Sequence, residues 1–205
     1  MRRIDVDASA RRLTSRTGSS TGHSPGNAMD GLSRVESPQT VRTSRLTLRP
    51  VGPAHLADLT ALKGDEAAFG LMLNGIRPPE AVARELADDM AFWAARGYGT
   101  WAVHLAADDA FLGIVALSER PDGRGVALRF ALWPHTRGRG YAREAARAAI
   151  AFGHQQADLP RIIAIAREDN LASRAVLEDL GLRAVEDFPR DGIRMLVYES
   201  LRPAE

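Results

Sequence analysis

Arginine and glycine alternate just ahead of a helical pattern, in Arg137-Gly138-Arg139-Gly140-Tyr141-Ala142. A strand-like run, Val126 to Trp133, leads in and is stopped by Pro134. From Tyr141 onward Ala142, Ala145, Ala146, Ala149, Ile150 and Gly153 recur at helical spacing on one face. Strand, glycine turn and helix N-terminus form a geometry that binds phosphate. Backbone N–H groups lacking helical partners converge there, and the helix dipole adds partial positive charge. Gly138 and Gly140 let the backbone approach a ligand closely, and Arg137 and Arg139 can add charge at its rim. The plain structural alternative is an arginine-rich turn capping a helix. Other nucleotide motifs fit worse. No Gly-Lys-Ser/Thr is present for a P-loop, and no third glycine or acidic residue stands at the dinucleotide offset.

Two further stretches narrow the choice. Arg137-x-x-Gly140-x-Ala142 after a strand resembles the pyrophosphate loop of the GNAT superfamily of N-acetyltransferases. Asn170-x-x-Ser173-x-x-Val176-Leu177-Glu178-x-x-Gly181 is similar to the second half of the coenzyme site in the RimJ/RimL-like branch. Ser44-Arg45-Leu46-Thr47-Leu48-Arg49-Pro50 resembles that branch's opening strand. The three stand in the family's order.

The resemblance implies an acetyl-CoA-dependent N-acetyltransferase, with acetyl-CoA as cosubstrate, no metal, and an amine acceptor. A protein N-terminus, a polyamine or an aminoglycoside-type drug would each serve. It further implies that the amides of Arg137, Gly138, Arg139, Gly140, Tyr141 and Ala142 hold the pyrophosphate, and that Asn170 holds the pantetheine arm. That arm would pair with strand backbone near Leu132 and Trp133, and Ser173 would face the sulfur. A helix cap is the alternative for Asn170, and a hydroxyl bonded to backbone the alternative for Ser173. Two departures stand out. Many relatives carry a tyrosine acid where this chain has Leu177, which leaves Ser173 as the catalytic proton donor. Many also carry a glutamate base that here aligns with Ala127. His104, His135 and His154 read as surface or packing residues rather than replacements.

The elements that must position these residues follow from periodicity and turn chemistry. Leu46 and Leu48 alternate in a strand ended by Pro50; Pro53 opens a short helix closed by Gly64. Pro78-Pro79 begin a longer helix with Val82, Leu86, Met90 and Trp93 on its core face, stopped by Gly97. Three strands follow, Thr100 to Leu105, Phe111 to Ser118 and Val126 to Trp133, turning at Asp108-Asp109 and Asp122-Gly123. After the glycine turn come a helix to about Ala157, a buried strand (Arg161 to Arg167) and a helix ending at Gly181. Two last strands, about Leu182 to Asp187 and Ile193 to Leu201, are joined through Pro189 to Gly192. The order β-α-α-β-β-β-α-β-α-β-β predicts an α/β (α+β) GNAT fold. Its central sheet is mixed and mostly antiparallel, with helices on both faces.

Composition bounds the rest. The 205 residues are 45% hydrophobic, enough for one sizeable core. Net charge is +1, which gives no reason to expect nucleic acid or an anionic membrane as partner. Zero cysteines exclude disulfides, thiolate metal sites and a cysteine nucleophile. No apolar run reaches membrane-spanning length and no signal sequence stands out, so a cytoplasmic monomer or homodimer is expected. Residues 1–43 are rich in Ser, Thr, Gly and Arg without an apolar period, and are expected to be a disordered tail ahead of a domain at 44–205. Two other readings compete with acetyl transfer. One is a catalytically silent acyl-CoA-binding module, suggested by Ala127. The other is a nucleic-acid-binding protein using Arg139, Arg143 and Arg147, opposed by Glu144 and Glu178.

Overall fold

The opening strand β2 (Leu46–Pro50) carries Leu46 and Leu48 fully buried, and a two-residue strand, β1 (Val41–Arg42), pairs with it. This comes from a computed structural model that describes residues 39–72 and 75–203. Structure thus begins inside the segment expected to be a disordered tail. Trp101 Nε1–H donates to the Gln39 carbonyl (2.9 Å), and residues 1–38 lie outside the described set. Helix α1 (Leu56–Gly64) and the one-turn α2 (Glu66–Phe69) follow, with Asp65 Oδ1 accepting from Ala68 N–H as the α2 cap. Helix α3 (Pro79–Arg96) begins on proline and ends where Gly97 turns left-handed, φ 72°.

The meander is β3 (Thr100–Leu105), β4 (Phe111–Glu119) and β5 (Val126–Leu132). Helix α4 (Tyr141–Gln155) then crosses to β6 (Arg161–Arg167), α5 (Leu171–Asp179) precedes the terminal hairpin, and β7 (Arg183–Arg190) and β8 (Ile193–Leu201) complete one eight-stranded sheet. Strand order is β1-β2-β3-β4-β5-β6-β8-β7, with every neighbouring pair antiparallel except β5 and β6. The predicted order of elements is observed, with the short β1 and α2 added. No helix of the described residues is long and apolar enough to cross a membrane.

Alternation gives the sheet two apolar faces. On one, Val103, Val115, Leu117, Leu128, Ile162, Ala164 and Tyr198 pack with α4 and α5 through Ala145, Ala146, Ala149 and Leu177. Helix α4 sits close. A Cβ at Gly153 would lie 2.7 Å from Ile162 Cδ1 and 2.8 Å from Leu117 Cδ1, so that position accepts only glycine without repacking. On the other face Ala102, Ile114 and Ala131 meet Leu59 and Leu62 of α1 and Val82 and Leu86 of α3.

Two expectations are corrected. Met90 is 39% exposed, not in the core. The inward stripe of α3 runs Val82, Leu86, Asp89, Trp93, with the half-buried Asp89 in the place assigned to Met90. And β7 runs on through Pro189 and Arg190, because it is an edge strand where a missing N–H interrupts no ladder. The turn is then Asp191-Gly192 alone, both at positive φ (50° and 75°), as a two-residue hairpin requires.

Candidate active site

The parallel contact between β5 and β6 is short. Val126 pairs with Ile162, Ala127 with Ile163 and Leu128 with Ala164, and there it stops. Beyond this point β5 continues along β4 and β6 along β8, so the two strands part and a gap opens through the sheet. A cavity of about 490 Å³ fills it. From the α4/α5 face it is lined by Leu128, Ala164, Asn170, Ser173 and Leu177, and from the α1/α3 face by Lys63, Glu85, Asp88, Asp89 and Arg129. Phe69 of α2, Met72 and Arg77 from the segment before α3, and Arg190, Asp191 and Ile193 of the last hairpin close its sides. One space is therefore reached from both faces of the sheet.

The free edge of β5 along this gap belongs to Phe130 and Leu132. Antiparallel pairing alternates the direction of backbone groups, and Trp133 N–H donates to the Leu112 carbonyl (2.9 Å). Trp133 C=O is also taken, by Thr136 N–H (3.0 Å) and Thr136 Oγ1 (2.7 Å). Of the two strand positions expected to meet a coenzyme arm, only Leu132 has backbone groups facing the gap. Trp133 instead ends the strand, its ring stacked on His135.

The glycine turn lies at the end of that edge. Gly138 (φ 75°) and Gly140 (φ 76°) are both left-handed, and Gly140 is the N-cap of α4. Among the described residues the N–H groups of Gly138, Arg139, Gly140, Tyr141, Ala142 and Arg143 have no acceptor; the first helical bond is Glu144 N–H to Gly140 C=O (3.0 Å). A Cβ at Gly138 would meet nothing within 4 Å. Six free donors beside open space fit the charge and shape of a pyrophosphate.

Arg137 turns elsewhere: its N–H, expected at the pyrophosphate, donates to the Pro134 carbonyl (3.1 Å). Its Nη2 donates to the Ala67 carbonyl (2.7 Å), tying the turn to α2. The turn is also clamped from the opening strand. Arg45 Nη1 donates to Arg139 C=O (2.9 Å), Arg45 Nε to Glu144 Oε2 (2.7 Å), and the guanidinium lies 4.8 Å over the Tyr141 ring. Glu144 Oε1 further accepts from Thr43 Oγ1 (2.5 Å) and Arg45 N–H (3.0 Å). Burial alone would push the Glu144 carboxyl up, but these donors outweigh it and hold it below its ordinary value. The Ser44-Arg45 motif was visible in the sequence. Its work, fixing the first turn of α4, was not, because the partners lie about a hundred residues away.

Asn170 caps α5: its Oδ1 accepts from Ser173 N–H (3.1 Å), while its Nδ2 has no partner among the described residues. Both alternatives for this residue are thus compatible, the carbonyl serving the helix and the amide remaining available at the cavity wall. Ser173 Oγ makes no hydrogen bond among the described residues and lines the same wall, so the reading of a hydroxyl spent on backbone does not hold. Leu177 is buried beside it. Ala127 does not line the cavity; it packs against Ile163 and Val197 in a small apolar cluster.

On the α1/α3 side the carboxylates differ sharply. Glu85 is held at both oxygens, by Lys63 Nζ (2.8 Å) and Arg77 Nε (2.6 Å). Burial would push the Glu85 carboxyl up, yet those two cations together bring it below its ordinary value. Asp89 Oδ1 accepts from the Thr100 hydroxyl (2.9 Å). Burial pushes the Asp89 carboxyl up, against the opposing pull of Lys63, Thr100 and Arg129. His104 and His154 are buried packing residues, with His154 held between the Leu159 carbonyl and Ser200 Oγ.

Comparison with known proteins identifies the family and the fold. The profile of the family described as Acetyltransferase (GNAT) domain matches residues 45–183. The FsC-acetyl coenzyme A-N(2)-transacetylase of Aspergillus fumigatus is 27% identical over 168 residues, 75% of this chain and 69% of that protein. An acetyltransferase crystal structure from Agrobacterium tumefaciens strain C58 superposes with a TM-score of 0.68 at 26% identity, over 78% of this chain and 93% of its own. RimL, a ribosomal L7/L12 α-N-protein acetyltransferase solved with coenzyme A, superposes with a TM-score of 0.67 over 79% and 97%. At 17% identity that last likeness concerns the fold alone. With a family match across well over half its length, the chain belongs to the GNAT acetyltransferases.

Proposed function

We propose that this chain transfers the acetyl group of acetyl-CoA to an amine, in the manner of the RimJ/RimL-like branch, with a protein N-terminus or a small-molecule amine as acceptor. The observation that carries the reading is the line of free backbone donors at Gly138 to Arg143, set at the end of a strand edge that opens onto a cavity shared by both faces. Relatives lend support. One is named for acetyl transfer to an N(2) position, and another was solved with coenzyme A.

When bound, acetyl-CoA supplies an acyl carbon activated by a thiol leaving group. The chain's own groups then have separate tasks. Amides of residues 138–143 take the pyrophosphate, Phe130 and Leu132 offer strand edge to the pantetheine arm, and Asn170 Nδ2 donates to it. Ser173, whose hydroxyl is free, gives a proton at the departing sulfur. The amine enters from the α1/α3 face, where the carboxylates lie.

Isothermal calorimetry with acetyl-CoA, followed by free-thiol release over a panel of peptide N-termini, polyamines and aminoglycosides, tests the reading. Binding with acceptor-dependent thiol release is the expected result. Binding without release from any amine would leave the silent acyl-CoA module in its place.

A further inference from the structure

Ala127 packs in an apolar cluster with Ile163 and Val197 and offers no base, and the amine still has a proton to lose. The cavity wall offers four carboxylates for that proton. Glu85 has both oxygens engaged by cations. Asp191 is 87% exposed on the hairpin turn beside Arg190, and Asp88 is exposed as well. Asp89 differs from all three: it is half buried, held at one oxygen by a neutral hydroxyl, and its Oδ2 has no protein partner among the described residues.

Its position in the sheet is specific. Asp89 is bonded to Thr100, and Thr100 pairs with Ala116, which pairs with Arg129. Residues paired across antiparallel strands point to one face, so these three form a row about 10 Å long beneath α3. Arg129 is the first residue of β5 past its last pair with β6, so the row ends where the sheet opens. Ala116 leaves the middle of the row low. From this geometry we infer that Asp89 is the proton acceptor for the amine, delivered by α3 rather than by a strand. This inference rests on the acetyl-transfer reading above.

The step balances as follows. The acceptor ammonium gives one proton, through water along the row, to the Asp89 carboxylate and becomes a neutral amine. Its nitrogen forms the C–N bond to the acetyl carbon as the C–S bond breaks, and the second N–H proton goes to the departing sulfur by way of Ser173. Asp89 then releases its proton to solvent. Burial favours the protonated form of Asp89 and so brings it towards a base's working range; the Thr100 hydroxyl, Lys63 from α1 and Arg129 from β5 oppose that, and Glu85 from α3 adds to it.

The test is kcat/KM against pH for two acceptors of different amine pKa, using the full chain with and without Asp89→Asn, and with Thr100→Val. For the unaltered protein both acceptors should show a break at one common pKa. Asp89→Asn should lower kcat by about 10²-fold or more, keep its acetyl-CoA affinity by calorimetry, and follow each acceptor's own titration. Thr100→Val, which removes a donor to the carboxylate, should move the common break upward. Profiles that track each acceptor from the start, or an Asp89→Asn protein within about threefold of the original kcat, would overturn the inference while leaving acetyl transfer intact. If Asp89→Asn does not fold, an unmoved break in Thr100→Val overturns it equally. Failure to bind acetyl-CoA at all removes the functional reading, and this inference with it.

Discussion

At the scale of single residues, the proposed function assigns Gly140 to binding and Ser173 to turnover, and two substitutions separate them. Gly140→Val should weaken acetyl-CoA by more than about tenfold, because a branched side chain at φ 76° strains the turn and stands among its free donors. Calorimetry on protein that still melts cooperatively checks this. Ser173→Ala should do the opposite, lowering kcat by about 10²-fold with little change in affinity, since a proton at the departing sulfur is needed only in the transition state; steady-state kinetics beside calorimetry would show the split. Glycine spacing and the Asn-Ser pattern were legible from sequence because they are local. Asp89 was not. In Arg84-Glu85-Leu86-Ala87-Asp88-Asp89-Met90, hydropathy points to Met90 as the inward residue, and only the Thr100 hydroxyl on the underlying strand accounts for the carboxylate there.

At the scale of elements, α3 and the first turn of α4 each yield a measurement. Along α3, Leu86→Ala should cost about 2–5 kcal/mol for the cavity it leaves, whereas Met90→Gln, on the exposed flank, should stay within about 0.5 kcal/mol; urea titration distinguishes them. The first turn of α4 depends on Glu144 and its donors from Thr43 and Arg45. A carboxyl whose folded-state pKa is depressed adds stability above its unfolded value, near 4.5, and that stability is lost as pH falls through the folded value. Glu144→Gln should therefore melt lower than the unaltered chain at neutral pH and show a shallower decline on acidification. Thermal melts from pH 7 to pH 3 follow both effects. Helix and strand order was readable because periodicity and caps are local properties; the clamp across nearly the whole domain depends on which strand lies beside which helix.

For the molecule as a whole, the start of β1 bears on how much chain the domain needs. A chain beginning at Ser44 should melt several degrees below one beginning at Gln39, since it lacks the β1 pairing, the Gln39 carbonyl under Trp101 and the Thr43 hydroxyl on Glu144. Scanning calorimetry on the two chains decides it. The global topology was accessible from sequence through the strand and turn pattern, whereas the opening between β5 and β6 was implied by the family resemblance and not by the pattern of either strand. It arises where two strands choose different neighbours, a decision that no local stretch of either strand records.

The ion pair between Lys63 and Glu85 has one more consequence. Lys63 is the single lysine of the chain, and it is 4% exposed. A thioester left in solution acylates neutral surface amines slowly and without a catalyst, so a protein that works beside acetyl-CoA ordinarily collects adducts on its lysines. Here the single lysine amine lines the cavity rather than the outer surface and is engaged by Glu85 (2.8 Å), so it is a poor target. Intact mass after long incubation with acetyl-CoA should stay unchanged or rise by a single acetyl at the N-terminal amine, and amine-directed dyes should label the folded protein at that end alone.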